Sequence, residues 1–187
     1  MDALRALHER VSVPRLIGPA PNAQQRKALF RAALRAPDHA WLRPWRFLVL
    51  EGEGLEQLGE LFAEAAEQET PDLTEETLAR YRGLPLRAPL IIVAVSRHQQ
   101  HAKVPMIEQD LSCAAAVSNM LVAAHAMGLG AVWRTGALAY NAQVRQGLGL
   151  SDDEHIIAFL YVGQAAGSRK TLPELDPDEF FQVWSGR

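Results

Sequence analysis

The stretch from Glu108 to Gly136 constrains this chain most. Its first part predicts a helix of about five turns, at 3.6 residues per turn. Glu108 and Asp110 place carboxylates at the positive N-terminal end of that helix. Gly128 stands where a helix C-terminal glycine belongs, and Gly130 opens the next turn. The helix is apolar nearly all round, through Leu111, Val117, Met120, Leu121, Val122 and Met127, and a helix without a polar face is a buried one. Ser112, Ala114, Ala115, Ala116, Ser118, Ala123 and Ala124 are small enough to let another backbone come close. Asn119 and His125 interrupt the run and its flanks lack anchors, which argues against a membrane span. The reading is the core helix of a soluble protein, placed at a subunit interface. The short apolar segment that follows carries Trp133, Arg134 and Thr135 to a sheet edge or a site.

The rest of the chain can bury such a helix. With 187 residues it is long enough for one domain with a real core, expected to span 1–187. A net charge of −3 gives no electrostatic reason to expect nucleic acid. The one cysteine, Cys113, has no internal disulfide partner and lies on the apolar helix, so it reads as a buried structural thiol. The N-terminus has no signal-peptide hydrophobic region, and a cytoplasmic location is expected.

A short helix over residues 2–9 should end before Pro14, which disfavours helical geometry at Val13. Arg10, Ser12 and Arg15 then stand at a helix end. Guanidinium forks and a hydroxyl suit phosphate oxygens there, although a solvated basic loop would read the same way. Asn22 is the N-cap of a helix to about Arg35, with Leu29, Phe30, Ala33 and Leu34 expected inward. Two prolines and two tryptophans between Ala36 and Trp45 mark an ordered loop, and residues 46–50 read as a strand. Gly52 and Gly54 lead into a helix through Leu55, Leu58, Leu61 and Phe62. Residues 68–87 are the most polar part, read as a mobile excursion or an ordinary exposed helix. Residues 88–95 and 155–163 are buried strands, and 141–148 a short helix. His98 and His101 lack a nearby third metal ligand and read as solvated loop residues. The apolar tail Phe180, Phe181, Val183 and Trp184 must be buried somewhere, and a partner subunit is the natural place. The glycine spacings match no dinucleotide fingerprint, and no P-loop, serine triad or zinc spacing is present.

Three segments together carry a resemblance that none carries alone. Arg10-Val11-Ser12, the run from Ala36-Pro37-Asp38-His39 to Pro44-Trp45-Arg46-Phe47, and Gly128 to Ala137 resemble the FMN-dependent nitroreductase family, in order and in separation. Further similarity at Arg87-Ala88-Pro89-Leu90, Lys103-Val104-Pro105 and Trp133-Arg134 extends it over nearly the whole chain. The resemblance implies an α+β nitroreductase-like fold: an antiparallel sheet flanked by helices, in an intertwined homodimer whose C-terminal segments join the partner. It implies FMN at two interfacial sites and NAD(P)H as co-substrate. It implies ping-pong hydride transfer to a small-molecule acceptor such as a nitroaromatic or quinone, with no nucleic-acid or membrane partner.

The same resemblance distributes the roles. Arg10, Val11 and Ser12 fall where the family holds the flavin phosphate and ribityl chain. Arg35 and His39 fall on the loop that reaches the flavin across the interface. Trp133, Arg134 and Thr135 fall beside the isoalloxazine, where a main-chain donor can face N5 and positive charge can stabilise the reduced ring. Arg169 or Lys170 would assist at the phosphate. Pro14, Trp41, Arg43 and Val11 depart from the family's pattern and bear on substrate choice and turnover more than on flavin binding. A flavin-holding storage or sensor protein is the alternative from another class. Flavin fragmentation or dehalogenation has no residue in its favour.

Overall fold

The computed structural model describes residues 1–167 and 170–186. In chain order the elements are α1 (Ala3–Glu9), β1 (Leu16–Ile17), α2 (Ala23–Ala33), β2 (Trp45–Leu50), α3 (Glu53–Glu69), α4 (Glu75–Arg82), β3 (Leu90–Arg97), α5 (Met106–Ala126), β4 (Gly130–Arg134), α6 (Ala142–Gly147) and β5 (Glu154–Ala165). The sheet runs β4-β5-β3-β2, every pairing antiparallel, and β1 adds to the end of β5 at Ala165 and Gln164. This is the expected α+β architecture, with helices on both sheet faces. β1 is too short to leave a period-two signal.

β3 explains why its sequence does not alternate. Leu90, Ile92 and Ala94 pack with α2 and α5 on one face, and Ile91, Val93 and Val95 pack with α3 on the other. All six are fully buried, so both faces demand apolar side chains. Asn22 caps α2 in a capping box with Gln25, each side chain taking the other's main-chain N–H. Leu29 and Ala33 point inward as expected, but Phe30 and Leu34 are exposed in the single chain, 36% and 59% respectively. They correct the inward assignment, because only one stripe of α2 meets α5.

α5 begins at Met106, two residues earlier than read, and Gly128 takes φ +79° just beyond it. One face is buried through Cys113, Ala116, Val117, Met120 and Ala124. The opposite stripe, Ile107 and Leu111, is 61% exposed at both positions. The helix is therefore apolar all round but covered on one side only. Leu4 and Leu7 of α1 and the tail residues Phe181, Val183 and Trp184 are also exposed apolar groups.

The polar stretch 68–87 is an ordered helix, α4, capped by Thr74 and packed on α3. Arg82 ties it to α3 through Glu60 at 2.8 Å and also meets Glu75, at the start of α4, at 2.6 Å. Gly59 lets the two helices meet: a Cβ there would overlap the Arg82 carbonyl oxygen.

Candidate functional site

Residues 10–17 leave α1 in extended conformation and run alongside the sheet. The Val13 N–H donates to the Ala131 carbonyl at 2.9 Å, and the Ala166 N–H donates to the Arg15 carbonyl at 3.0 Å. Val11 is buried and Ser12 exposed. Arg10 is half-buried, and its Nη1 is fully enclosed with no hydrogen-bond partner among the described residues. An enclosed guanidinium nitrogen without an acceptor is costly, and an incoming anion removes that cost.

β4 pairs with β5 and, among the described residues, with no other strand. Trp133 is pinned by its indole N–H, which donates to the Ile157 carbonyl at 3.0 Å. Arg134 turns to the opposite sheet face, its guanidinium carbon 5.5 Å from the centre of the Tyr161 ring. The Arg134 Nε is also enclosed without a partner among the described residues. Thr135 is exposed, and Gly136 turns the chain at φ +74°.

Two cavities meet at Thr135. One, of about 470 Å³, has walls from Phe62, Tyr81, Leu84, Phe159 and Tyr161, with Arg87 and Arg134 bringing positive charge and Glu69 a carboxylate. Val13, the residue after Ser12, packs in the same hydrophobic cluster as Phe62, Phe159 and Tyr161 of this cavity's wall. Burial raises the Tyr161 hydroxyl above its ordinary range, and the charges of Arg134 and Arg87 partly oppose that shift. The other cavity, of about 500 Å³, is lined by Asp110, Leu111, Trp133, Tyr140, Arg145 and His155.

Arg35 and His39 do not line either cavity. Arg35 lies in a separate concavity with Asp38, Trp41 and Arg43, and the His39 Nδ1 meets the Glu108 carboxylate at 2.7 Å. Their loop is ordered, as its prolines and tryptophans suggested. Ala40, Trp41 and Arg43 all hold positive φ, which costs about 1–3 kcal/mol at each such residue. Asp38 accepts from the Arg43 N–H, and the Gln99 amide donates to the Leu42 carbonyl, which holds this conformation. Of the two basic residues suggested after the last strand, Lys170 is exposed and Arg169 lies outside the described residues.

The reading of His98 as a solvated residue is corrected. It is 8% exposed and its Nε2 lies 2.7 Å from Asp110, with His155 3.7 Å from the same carboxylate. His101 is exposed as expected. Two histidines and an aspartate could suggest a metal centre. Ligand atoms about 2.1 Å from one tetrahedral ion stand about 3.4 Å apart, so the 2.7 Å separation is that of a hydrogen-bonded pair. The imidazole rings also pack edge to face, 4.4 Å between centres. Cys113 is fully buried and its thiol is pushed up to about 12, by burial first and the Asp110 charge second, which leaves it unreactive. Tyr161, Phe159 and Arg87 were not singled out from sequence. The first two looked like core strand residues, and Arg87 was one charge among many in a polar stretch.

The chain thus offers an arginine with an enclosed nitrogen unpartnered among the described residues, and an aromatic cavity with cationic groups. That suits a flat, conjugated ligand with an anionic arm.

The sequence pattern of the nitroreductase family matches residues 9–164. The chain is 41% identical over 163 residues to "Putative NAD(P)H nitroreductase YdjA" of Escherichia coli K12, covering 87% of this chain and 88% of that protein. It is 40% identical over 164 residues to a Haemophilus influenzae protein with the same description less the final name, with the same two coverages. Its fold matches the crystal structure of a nitroreductase-like family protein from Bacillus cereus, with a TM-score of 0.84, 24% identity, and 100% of this chain and 97% of that one covered. It also matches a nitroreductase with bound FMN from Bacteroides fragilis, at a TM-score of 0.76, 19% identity and coverages of 98% and 99%. At these identities the structural likenesses speak to the fold alone. The pattern match and the relatives at 40% identity speak to descent: the chain belongs to the nitroreductase family.

Proposed function

We propose that this protein is a cytoplasmic, homodimeric FMN-dependent oxidoreductase that uses NAD(P)H to reduce nitroaromatic, quinone or similar small-molecule acceptors. The observation that carries the reading is the pair of enclosed guanidinium nitrogens without a partner among the described residues, Arg10 Nη1 and Arg134 Nε, on two segments joined by the Val13–Ala131 hydrogen bond. FMN fits both needs, with a phosphate for one and a ring system for the cavity beside the other. Relatives carry the description NAD(P)H nitroreductase, and structural neighbours hold FMN.

Arg10 binds the phosphate by charge-assisted hydrogen bonds, with Ser12 contributing its hydroxyl and Val11 the main chain beside it. Lys170 adds charge at the same end. Trp133, Arg134 and Thr135 flank the ring, where the indole bond to Ile157 keeps the strand end fixed. Arg35 and His39 serve the site of the partner, because they do not line the cavity of their own chain. Bound FMN supplies hydride acceptance and donation. Nicotinamide and acceptor occupy the same space in turn, which gives ping-pong kinetics.

The test is purification, a visible spectrum, and an anaerobic titration with NADPH and NADH, followed by a nitroaromatic or a quinone. The expected result is a yellow protein that bleaches on nicotinamide addition and recovers its colour with acceptor. A preparation that stays colourless after FMN addition and desalting ends the reading. A yellow protein that bleaches over hours would instead be a flavin-holding storage or sensor protein.

A further inference from the structure

Arg87 ends a 3-10 turn, Pro85–Arg87, on the wall of the aromatic cavity. It is exposed, and it has no hydrogen bond or ion pair among the described residues. Its neighbour in sequence, Arg82, is fully engaged by Glu60 and Glu75. Arg134 on the same cavity wall is likewise without an ion-pair partner among the described residues, and its Nε is enclosed. The one carboxylate of the cavity, Glu69, already accepts from the Asn141 amide at 2.7 Å. Tyr161 lines the same cavity as both arginines, and the Arg134 guanidinium stands 5.5 Å from the centre of its ring. Two uncompensated cations facing an apolar slot favour a ligand whose ring carries negative charge.

We propose that Arg87 is a cofactor-binding residue that, together with Arg134, binds the reduced flavin ring more tightly than the oxidised one. This rests on the FMN reading above. Hydride transfer moves one electron pair and one proton from NAD(P)H to the flavin ring, leaving NAD(P)⁺. The ring gains one negative charge, spread over its pyrimidine edge at N1 and O2. A cation beside that edge favours the charged form, and so raises the readiness of the flavin to accept hydride. Arg10 acts differently: the phosphate charge does not change on reduction, so Arg10 holds both redox states alike.

The experiment compares the parent, Arg87→Met and Arg87→Lys. The dissociation constant of FMN is measured for the oxidised form, and for the dithionite-reduced form without oxygen. No nicotinamide or acceptor is present, which separates flavin charge from the phosphates of a nicotinamide substrate. Arg87→Met is expected to weaken reduced FMN about tenfold more than oxidised FMN, equivalent to a midpoint potential about 30 mV lower for a two-electron couple. Arg87→Lys should keep most of the parental difference, since a point charge suffices. Equal weakening of both redox forms, or no weakening of either, overturns the proposal while leaving the FMN reading standing. A parent that binds no FMN overturns the functional reading and this inference with it. Circular dichroism confirms that the variants fold.

Discussion

The main-chain N–H of Val13 donates to the carbonyl oxygen of Ala131 across 2.9 Å. That bond fastens the segment following the first helix to β4, the strand ending in Trp133 and Arg134. It brings together two short runs far apart in sequence, and the proposed site draws on both.

Arg10→Ala tests the phosphate end. A hydrogen bond to a charged group is worth about 1.5–3 kcal/mol, so FMN affinity should fall on the order of ten- to a hundredfold. Folding should survive, since Arg10 only caps a short helix. Arg10→Lys should recover part of the loss, because a single ammonium cannot reproduce the planar fork. Flavin fluorescence quenching reads the affinity, and circular dichroism the fold. Unchanged affinity in folded Arg10→Ala removes the phosphate role.

Glu154 predicts an acid limb of stability. The Arg46 guanidinium hydrogen-bonds its carboxylate at 2.6 and 2.7 Å and holds it at about 2, against an ordinary 4.5. The carboxylate is nearly buried, 7% exposed. Its folded-state value is depressed, so its stabilisation is complete above about pH 4.5 and fades as pH falls through about 2. Glu154→Gln should lower stability at pH 7 by on the order of 2–3 kcal/mol, with the gap closing between those two pH values. Urea melts across pH 2–7 check this; a gap independent of pH would show that the ion pair is not its source.

Gly59→Ala should destabilise, although alanine is the better helix former by about 1 kcal/mol. Its methyl group would overlap the Arg82 carbonyl, which is backbone and cannot step aside. A loss of about 1–3 kcal/mol is expected from such overpacking, read as a lower Tm. A neutral or stabilising result would mean that α4 can lift from α3 without cost.

Removal of residues 171–187 tests the partner surface. Phe181, Val183 and Trp184 are 78%, 97% and 86% exposed in one chain. Exposure of that kind, added to Ile107 and Leu111 on α5, suits an obligate interface, which commonly buries about 2,000–5,000 Å². The parent should be a dimer by light scattering at micromolar concentration, and the shortened chain a monomer or an aggregate. A shortened chain that stays a stable dimer would place the tail outside the interface.

Much of this architecture is legible in the sequence because it is written in local signals. Asn22 announces its cap, Gly128 ends the central helix, and the apolar, β-branched run of β3 reads as a buried strand. What escaped notice depends on partners distant in the chain. His98 looks like a loop residue until Asp110 and His155 close around it. Phe30 and Leu34 look like core residues until only one stripe of α2 meets α5. Arg87 is one arginine in a charged stretch, and only the fold sets it opposite Tyr161. The Arg10 and Trp133 segments were found through their resemblance to a family, not through their spacing, since no local pattern joins an N-terminal turn to β4.

Arg35 lines a concavity that shares no residue with the cavity under Arg134, and His39 lines neither. In the proposed homodimer, a flavin that needs both is gripped by two chains at once. Colour and assembly then become one mass-action equilibrium: added FMN pulls chains together, and dilution of the protein releases FMN even when the free cofactor is held constant. An affinity measured at nanomolar protein would therefore be weaker than one measured at micromolar protein. In a cell, the fraction of active sites would rise faster than in proportion to the number of chains made.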